Sequence, residues 1–194
     1  MDPKNYLNET AQESFAIRET FLKECGDKLI AAAEALGTCI KNGGKVLIFG
    51  NGGSAADAQH MAAEMVGRML IERRPLPAMA LSTDTSNLTA IGNDYGYEYV
   101  FSKQVQGLAR KGDVIIAIST SGNSKNVLLA VEVARQLGCF VIGLTGGSGG
   151  KLKGLSDIPL VVSLGKNSSR IQETHIFAVH SMVDLLDRFF LAPQ

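Results

Sequence analysis

Val46-Leu47-Ile48-Phe49-Gly50-Asn51-Gly52-Gly53-Ser54-Ala55-Ala56-Asp57-Ala58-Gln59-His60-Met61-Ala62-Ala63-Glu64 reads as strand, turn and helix in immediate succession. The first four residues are an apolar, β-branched-rich run of the kind that forms a buried strand. Gly50, Gly52 and Gly53 allow a tight turn and a close approach of backbone to a ligand. Ser54 is a good N-cap residue, and the Ala-rich run behind it favours helix, extended to about Leu70. A glycine turn that opens on a helix N-terminus suits an anion or the polar end of a substrate. His60 and Glu64 are four residues apart and share one helix face, a pairing that suits a metal ion or an acid–base pair.

Outward from this stretch, strands alternate with helices. Upstream, residues 5–42 predict two helices broken at Gly26-Asp27, with Phe15, Leu22 and Leu29 recurring at sevens and Ile30, Ala33 and Leu36 widening the stripe. Such a pair covers its own core or packs on a partner chain. Downstream, Ala78 to Leu81 reads as a short strand and Ser86 onward as a short helical stretch. Gly92-Asn93-Asp94-Tyr95-Gly96 reads as a turn, and 98–109 as a helix. Val114 to Ile118 is an almost uninterrupted apolar strand, a pattern that means burial on both faces and hence a parallel sheet. A helix over 127–137, a strand over 140–144, a glycine-rich loop over 145–150, a strand over 158–162 and a long helix over 170–190 complete the chain. This alternation predicts one domain over 1–194 built on a doubly wound, five-stranded parallel α/β sheet with an N-terminal helical extension. Ligands of such sheets bind beyond the carboxyl ends of the strands, and the polar clusters fall at those ends or on the next helices.

Composition narrows the function. Nineteen basic and nineteen acidic residues cancel, with no basic block, so no nucleic-acid surface is expected. The three cysteines, Cys25, Cys39 and Cys139, form no CxxC or zinc-knuckle spacing and read as reduced thiols of a cytoplasmic protein. The polar start over 1–12 is no signal peptide, and no apolar run is long enough to span a bilayer.

Ser119-Thr120-Ser121-Gly122-Asn123-Ser124 carries four hydroxyls between an apolar strand and a helix. Hydroxyls and backbone N–H groups at a helix N-terminus hold a phosphate without a cation. A P-loop is absent, which argues against nucleotide hydrolysis. Gly50 to Ala55 fits G-x-G-x-x-A, but Asp84, the nearest candidate for a ribose-binding acid, comes too late for a dinucleotide fold. Of the histidines, His60 has Glu64 on its own face. His175 and His180 are five apart and project in different directions, so at most one serves a given site; spacing alone does not choose between them.

Taken together, the Gly50–Ser54 turn, the serine-rich loop and the α/β layout resemble the sugar isomerase (SIS) domain family, which binds phosphosugars. Asn51-Gly52-Gly53-Ser54 with His60 and Glu64, Gly92-Asn93-Asp94, the serine-rich loop, and Arg170-Ile171-Gln172-Glu173 with His180 look like the phosphoheptose isomerase branch of it, over nearly the whole chain. The resemblance implies conversion of sedoheptulose 7-phosphate to D-glycero-D-manno-heptose 7-phosphate, the first step of heptose synthesis for lipopolysaccharide and related envelope glycans. It also implies a homotetramer with sites shared between subunits and one zinc ion per subunit. Zinc ligands fall on His60, Glu64, Gln172 and His180. Substrate contacts fall on Asn51, Gly52, Gly53, Glu64, Asn93, Asp94, Ser119, Thr120, Ser121, Ser124 and Gln172. Position 169 is Ser here, where some relatives carry an acid. Other SIS relatives are non-catalytic and associate with the bacterial replication initiator; they tend to lose the equivalents of Glu64 and His180, which this chain retains.

The implied chemistry needs a base at carbon, an acid at oxygen and stabilisation of an enediolate. The resemblance makes Glu64 the base and His180 the acid. Gln172 and His180 are eight residues apart, about 12 Å along a helix and about 80° around it. Either the last helix starts after Gln172, or one ligand comes from a neighbouring chain.

Overall fold

Five parallel strands, β1 (Val46–Gly50), β2 (Ala78–Ala80), β3 (Val114–Ser119), β4 (Phe140–Gly146) and β5 (Ile158–Val162), stand in the order β2-β1-β3-β4-β5. The computed structural model describes residues 2–191, so the outer ends of the domain expected over 1–194, residue 1 and residues 192–194, lie outside the described residues. Every residue of β1 and β3 is buried. Their side chains alternate between two cores. Val46, Ile48, Val114, Ile116 and Ile118 face one, and Leu47, Phe49, Ile115 and Ala117 the other. Two-sided burial is why these strands are apolar at consecutive positions rather than at every second one. The chain leaves β1 for β2 on one side and returns to β3 on the other, so a crevice opens beyond Gly50 and Ser119, where the winding reverses.

The first core is covered by α1 (Pro3–Lys41), α2 (Gly53–Val66) and α7 (Ser168–Leu185). The second is covered by α4 (Val100–Leu108), α5 (Lys125–Gln136) and α6 (Gly150–Leu155), with α3 (Thr85–Asp94) and a 3-10 turn (Tyr97–Tyr99) at the β2 edge. At the sheet's opposite end, buried Asp113 accepts from the Lys45 N–H at 3.0 Å, Lys45 Nζ at 2.6 Å and the Arg110 N–H at 2.7 Å. Those bonds hold β1 and β3 in register beneath the crevice.

Several local expectations are corrected. The N-terminal segment is one helix of 39 residues, not two. Gly26 lies mid-helix, and burial of Cys25 and Leu29 beside it outweighs the roughly 1 kcal/mol that a helical glycine costs. The buried stripe runs through Ile17, Phe21, Cys25, Leu29, Ala32, Ala33 and Leu36, so Leu29, Ala33 and Leu36 are buried as expected, whereas Phe15, Leu22 and Ile30 are exposed. The seven-residue spacing mixes two faces of one helix. Ser54 is not the N-cap of α2. Gly52 (φ 56°) occupies that position, and buried Ser54 packs so tightly on Gly50 that a Cβ there would lie 2.7 Å from its own. Helix α2 ends at Val66 rather than near Leu70, because the Arg73 guanidinium takes the carbonyls of Glu64, Met65 and Gly67 at 2.8–2.9 Å. The glycine-rich segment after β4 leads into α6, which its composition concealed. Asn93 and Asp94 are the last residues of α3, so the turn is confined to Tyr95 and Gly96. Helix α7 begins at Ser168, capped by Asn167 accepting from the Arg170 N–H, and passes into a π turn over Leu186–Phe190.

Candidate active site and metal centre

Two glycine-permitted loops meet at the crevice. The loop Ser119–Ser124 is drawn into a hydroxyl cluster, with Ser119 Oγ 3.0 Å from Ser124 Oγ and 3.5 Å from Ser121 Oγ. Gly122 (φ +65°) is needed here on two counts: its backbone is left-handed, and a Cβ would lie 2.0 Å from the Gly149 carbonyl oxygen. Ser124 stands at the N-cap of α5 without capping it, so its hydroxyl is not engaged with the helix's first N–H groups. Hydroxyls gathered at a helix N-terminus that the N-cap side chain leaves unbonded are an arrangement suited to an anion. Beside it, Asn51 follows β1 and pairs through its side chain with Asn126 on α5.

Helices α2 and α7 run parallel along one face of the sheet. Near their N-termini the Gln172 amide lies against Gly53, where an added Cβ would come 2.4 Å from Nε2. Two turns further on, His180 Nε2 lies 3.1 Å from His60 Nε2, which is 3.1 Å from Glu64 Oε1. The donor atoms of His60, Glu64 and His180 all fall within 4.8 Å of one another. Helix α7 is continuous through Gln172 and His180, which excludes the alternative that it starts after Gln172. His60 stands between the two. It meets His180 on one side, and on the other it shares with Gln172 a cleft of about 420 Å³, also lined by Asp57 and Ser169.

These donors fit a metal ion. Two imidazoles and one carboxylate, with a position to spare, are a ligand set of catalytic zinc. Bonds of about 2.0–2.1 Å in tetrahedral geometry separate neighbouring donors by roughly 3.3 Å, close to the two 3.1 Å separations here. Asp57, one turn before His60, has Oδ2 buried without a partner among the described residues. Burial pushes its carboxyl up to about 6, against the pull of His60. A half-buried, unsatisfied carboxylate beside the trio adds to the demand for a cation or a hydroxyl donor in this groove.

The sequence-derived site residues divide into three groups. Gly53, His60, Glu64, Gln172 and His180 line the α2–α7 groove, and Asn51, Gly52, Ser119, Thr120, Ser121 and Ser124 surround the crevice above it. Asn93 and Asp94 are exposed and bonded to each other, Asn93 Nδ2 donating to Asp94 Oδ1 at 2.9 Å. In the adjoining 3-10 turn, Tyr97 reaches Asn51, its hydroxyl 3.3 Å from Oδ1. His175 points elsewhere: it is fully buried, with Nε2 3.3 Å from the Thr145 carbonyl oxygen and Nδ1 without a hydrogen-bond partner among the described residues. Burial pulls its pKa down to about 4. Sequence reasoning missed Asp57, Tyr97 and Asn126. Asp57 was detectable, being three residues before His60 and so on the same side of a helix. Nothing in the spacing marked Asn126 as a neighbour of Asn51.

Comparison with known proteins points the same way. The SIS domain family matches over residues 10–146. A phosphoheptose isomerase of Helicobacter hepaticus is 60% identical over 156 residues, covering 80% of this chain and 79% of its own length. The solved structure of the Neisseria gonorrhoeae phosphoheptose isomerase superposes with a TM-score of 0.89 at 46% identity, over 95% of this chain and 98% of that one. The Francisella tularensis phosphoheptose isomerase superposes with a TM-score of 0.92 at 40% identity, over 97% and 100%.

Proposed function

We propose, from the premise that this chain belongs to the SIS-domain phosphoheptose isomerases, that it converts sedoheptulose 7-phosphate to D-glycero-D-manno-heptose 7-phosphate through an enediol. The observation that carries this reading is the meeting of His60 and Glu64 with His180, 120 positions away, below a hydroxyl-rich anion loop. The glycine turn after β1, which faces the same crevice as the loop, is separated from His60 by seven helical residues of α2, about 10 Å. That separation calls for a substrate whose reacting carbons lie at the far end from its phosphate. A ketose 7-phosphate isomerised between C1 and C2 has this form.

In this reading Ser119, Thr120, Ser121 and Ser124, with the N-terminus of α5, hold the phosphate and fix the distance to the groove. Asn51, Gly52, Gly53, Asn93 and Asp94 contact the sugar between. Glu64 takes a proton from C1 and returns it to C2. His180 gives a proton to the C2 oxygen and receives one from the C1 oxygen, so the enediol forms and collapses without net change in protonation. His60, Glu64, Gln172 and His180 would hold one zinc ion per subunit, which when bound polarises the carbonyl and stabilises negative charge on the oxygens. With α7 continuous, the remaining alternative for the ligand set is that one ligand comes from a neighbouring subunit. Self-association is supported by the apolar residues that α1 leaves exposed, Tyr6, Leu7, Phe15, Leu22 and Ile30; a homotetramer with shared sites follows from the family reading. Among the described residues no helix is long and apolar enough to cross a membrane. A place in the cytoplasm, at the head of heptose supply for lipopolysaccharide or another envelope glycan, follows from the same family reading.

The test is turnover of sedoheptulose 7-phosphate with added zinc, by wild type and by Glu64→Gln. We expect turnover by the wild type and a loss of at least about 100-fold in kcat for the variant. An inactive wild type would instead favour the non-catalytic, protein-binding SIS relatives.

A further inference from the structure

Asn51 and Asn126 exchange two side-chain hydrogen bonds. Asn51 Nδ2 donates to Asn126 Oδ1 at 2.9 Å, and Asn126 Nδ2 donates to Asn51 Oδ1 at 2.8 Å. An amide pair of this kind could in principle run in either direction. Here it is tied to a group that can only donate: the backbone N–H of Val127 points at Asn126 Oδ1 at 3.0 Å. That bond fixes which end of Asn126 is oxygen, and through the exchange which end of Asn51 is oxygen. The Tyr97 hydroxyl, 3.3 Å from Asn51 Oδ1, supplies a second donor to the same atom.

An amide oxygen accepts two hydrogen bonds and an amide nitrogen donates two. Asn51 Oδ1 is therefore saturated, and Nδ2 has one N–H left. Asn126 is 5% exposed, so its amide has no solvent to exchange with and must hold this arrangement. The three strands of the network come from the turn after β1, the start of α5 behind the hydroxyl loop, and the 3-10 turn after Asn93 and Asp94. One side chain thus gathers all three segments of the crevice.

We propose that Asn126 is a positioning residue that locks the polarity of Asn51, so that Asn51 presents an N–H, and never a carbonyl, to an oxygen of the sugar phosphate. This rests on the isomerase reading, which assigns Asn51 to the substrate. The substrate atom facing Asn51 is then an acceptor: a hydroxyl or phosphate oxygen away from the reacting carbons. Such a contact is made equally in ground and transition states, so its loss falls on KM rather than kcat.

The test is steady-state kinetics with sedoheptulose 7-phosphate on wild type, Asn126→Asp, Asn51→Ala and the double variant. Asn126→Asp keeps the volume and the acceptor for Val127 but cannot donate to Asn51 Oδ1. We expect KM to rise about 10-fold with kcat within about twofold, and the same change to have little further effect beside Asn51→Ala. Should Asn126→Asp fail to fold, Tyr97→Phe removes the other donor to the same oxygen from a side chain that is 63% exposed. It should raise KM about threefold alone and not at all beside Asn51→Ala. An unchanged KM, or an equal effect with and without Asn51, overturns the lock while leaving the isomerase reading intact. A wild type that does not turn over the substrate removes that reading and the lock with it.

Discussion

Replacing Gly53 by alanine would place a methyl carbon 2.4 Å from Gln172 Nε2, 2.7 Å from its Cδ and 2.9 Å from its Oε1. Ordinary contacts to carbon lie at about 3.5–4.0 Å, so the amide must retreat by about 1 Å. The fold can absorb this, because the obstacle is the end of a flexible side chain and Gly53 is the first residue of α2, outside the left-handed region. Alanine also offsets part of the cost through its helix propensity, worth up to about 1 kcal/mol. The melting temperature of Gly53→Ala should therefore stay within a few degrees of wild type. The site cannot absorb it, since Gln172 lies where substrate and metal are proposed to be held. A displacement of about 1 Å there costs on the order of 100-fold in kcat/KM. The assay is turnover of sedoheptulose 7-phosphate together with zinc affinity, read by competition with a chromophoric chelator. Gly53 is itself a proposed substrate contact, so the route of the effect is separated by a double-mutant cycle. Beside Gln172→Ala, the glycine substitution should add less than about threefold. Wild-type kinetics for Gly53→Ala, or an undiminished loss without Gln172, would refute the reasoning.

Two further outcomes concern stability. His175, held neutral by burial with a pKa of about 4, opposes folding once the unfolded chain begins to take up a proton near pH 6.5. The stability it permits is complete above that pH and is lost as the pH falls toward 4, about 2 kcal/mol of it by pH 5.0. In urea titrations at pH 7.5 and 5.0 the wild type should lose about 2 kcal/mol more than His175→Leu; the opposing contribution of Asp57, whose pKa is raised, is common to both proteins and cancels. Parallel pH dependences would contradict this account. Arg73 joins buried Asp187 at 2.9 Å and holds the carbonyls that end α2. Arg73→Ala strands a buried carboxylate and should cost about 3–5 kcal/mol in chemical denaturation; a loss under about 1 kcal/mol would show that water replaces the guanidinium.

The sheet was readable because its central strands are apolar at consecutive positions, as burial on both faces requires, and because turn residues punctuate each strand. The helix ends were read less well. Glycine at position 26 looked like a break and is carried by packing on either side of it. The stop after Val66 comes from Arg73, which reaches back from the next loop, and the helix over 150–155 was hidden in a run of glycines. In the groove, the pairing of His60 with Glu64 was visible as a four-residue spacing on one helix. The choice of His180 over His175 was not: the spacing only required that they point apart, and the resemblance to a known family made the choice.

Local patterning therefore determined that this chain forms a parallel α/β sheet, with a glycine turn after one strand, a hydroxyl loop after another, and a helix bearing an imidazole and a carboxylate on one face. Propensity and periodicity act over a few residues, and those features live at that range. Tertiary structure alone decided that α7 lies parallel to α2 with His180 opposite His60, that Gln172 fills the space left by Gly53, and that Asn126 faces Asn51. Each of these meetings joins residues 75 to 120 positions apart. Such contacts are set by how buried faces pack together, and no short-range pattern encodes them.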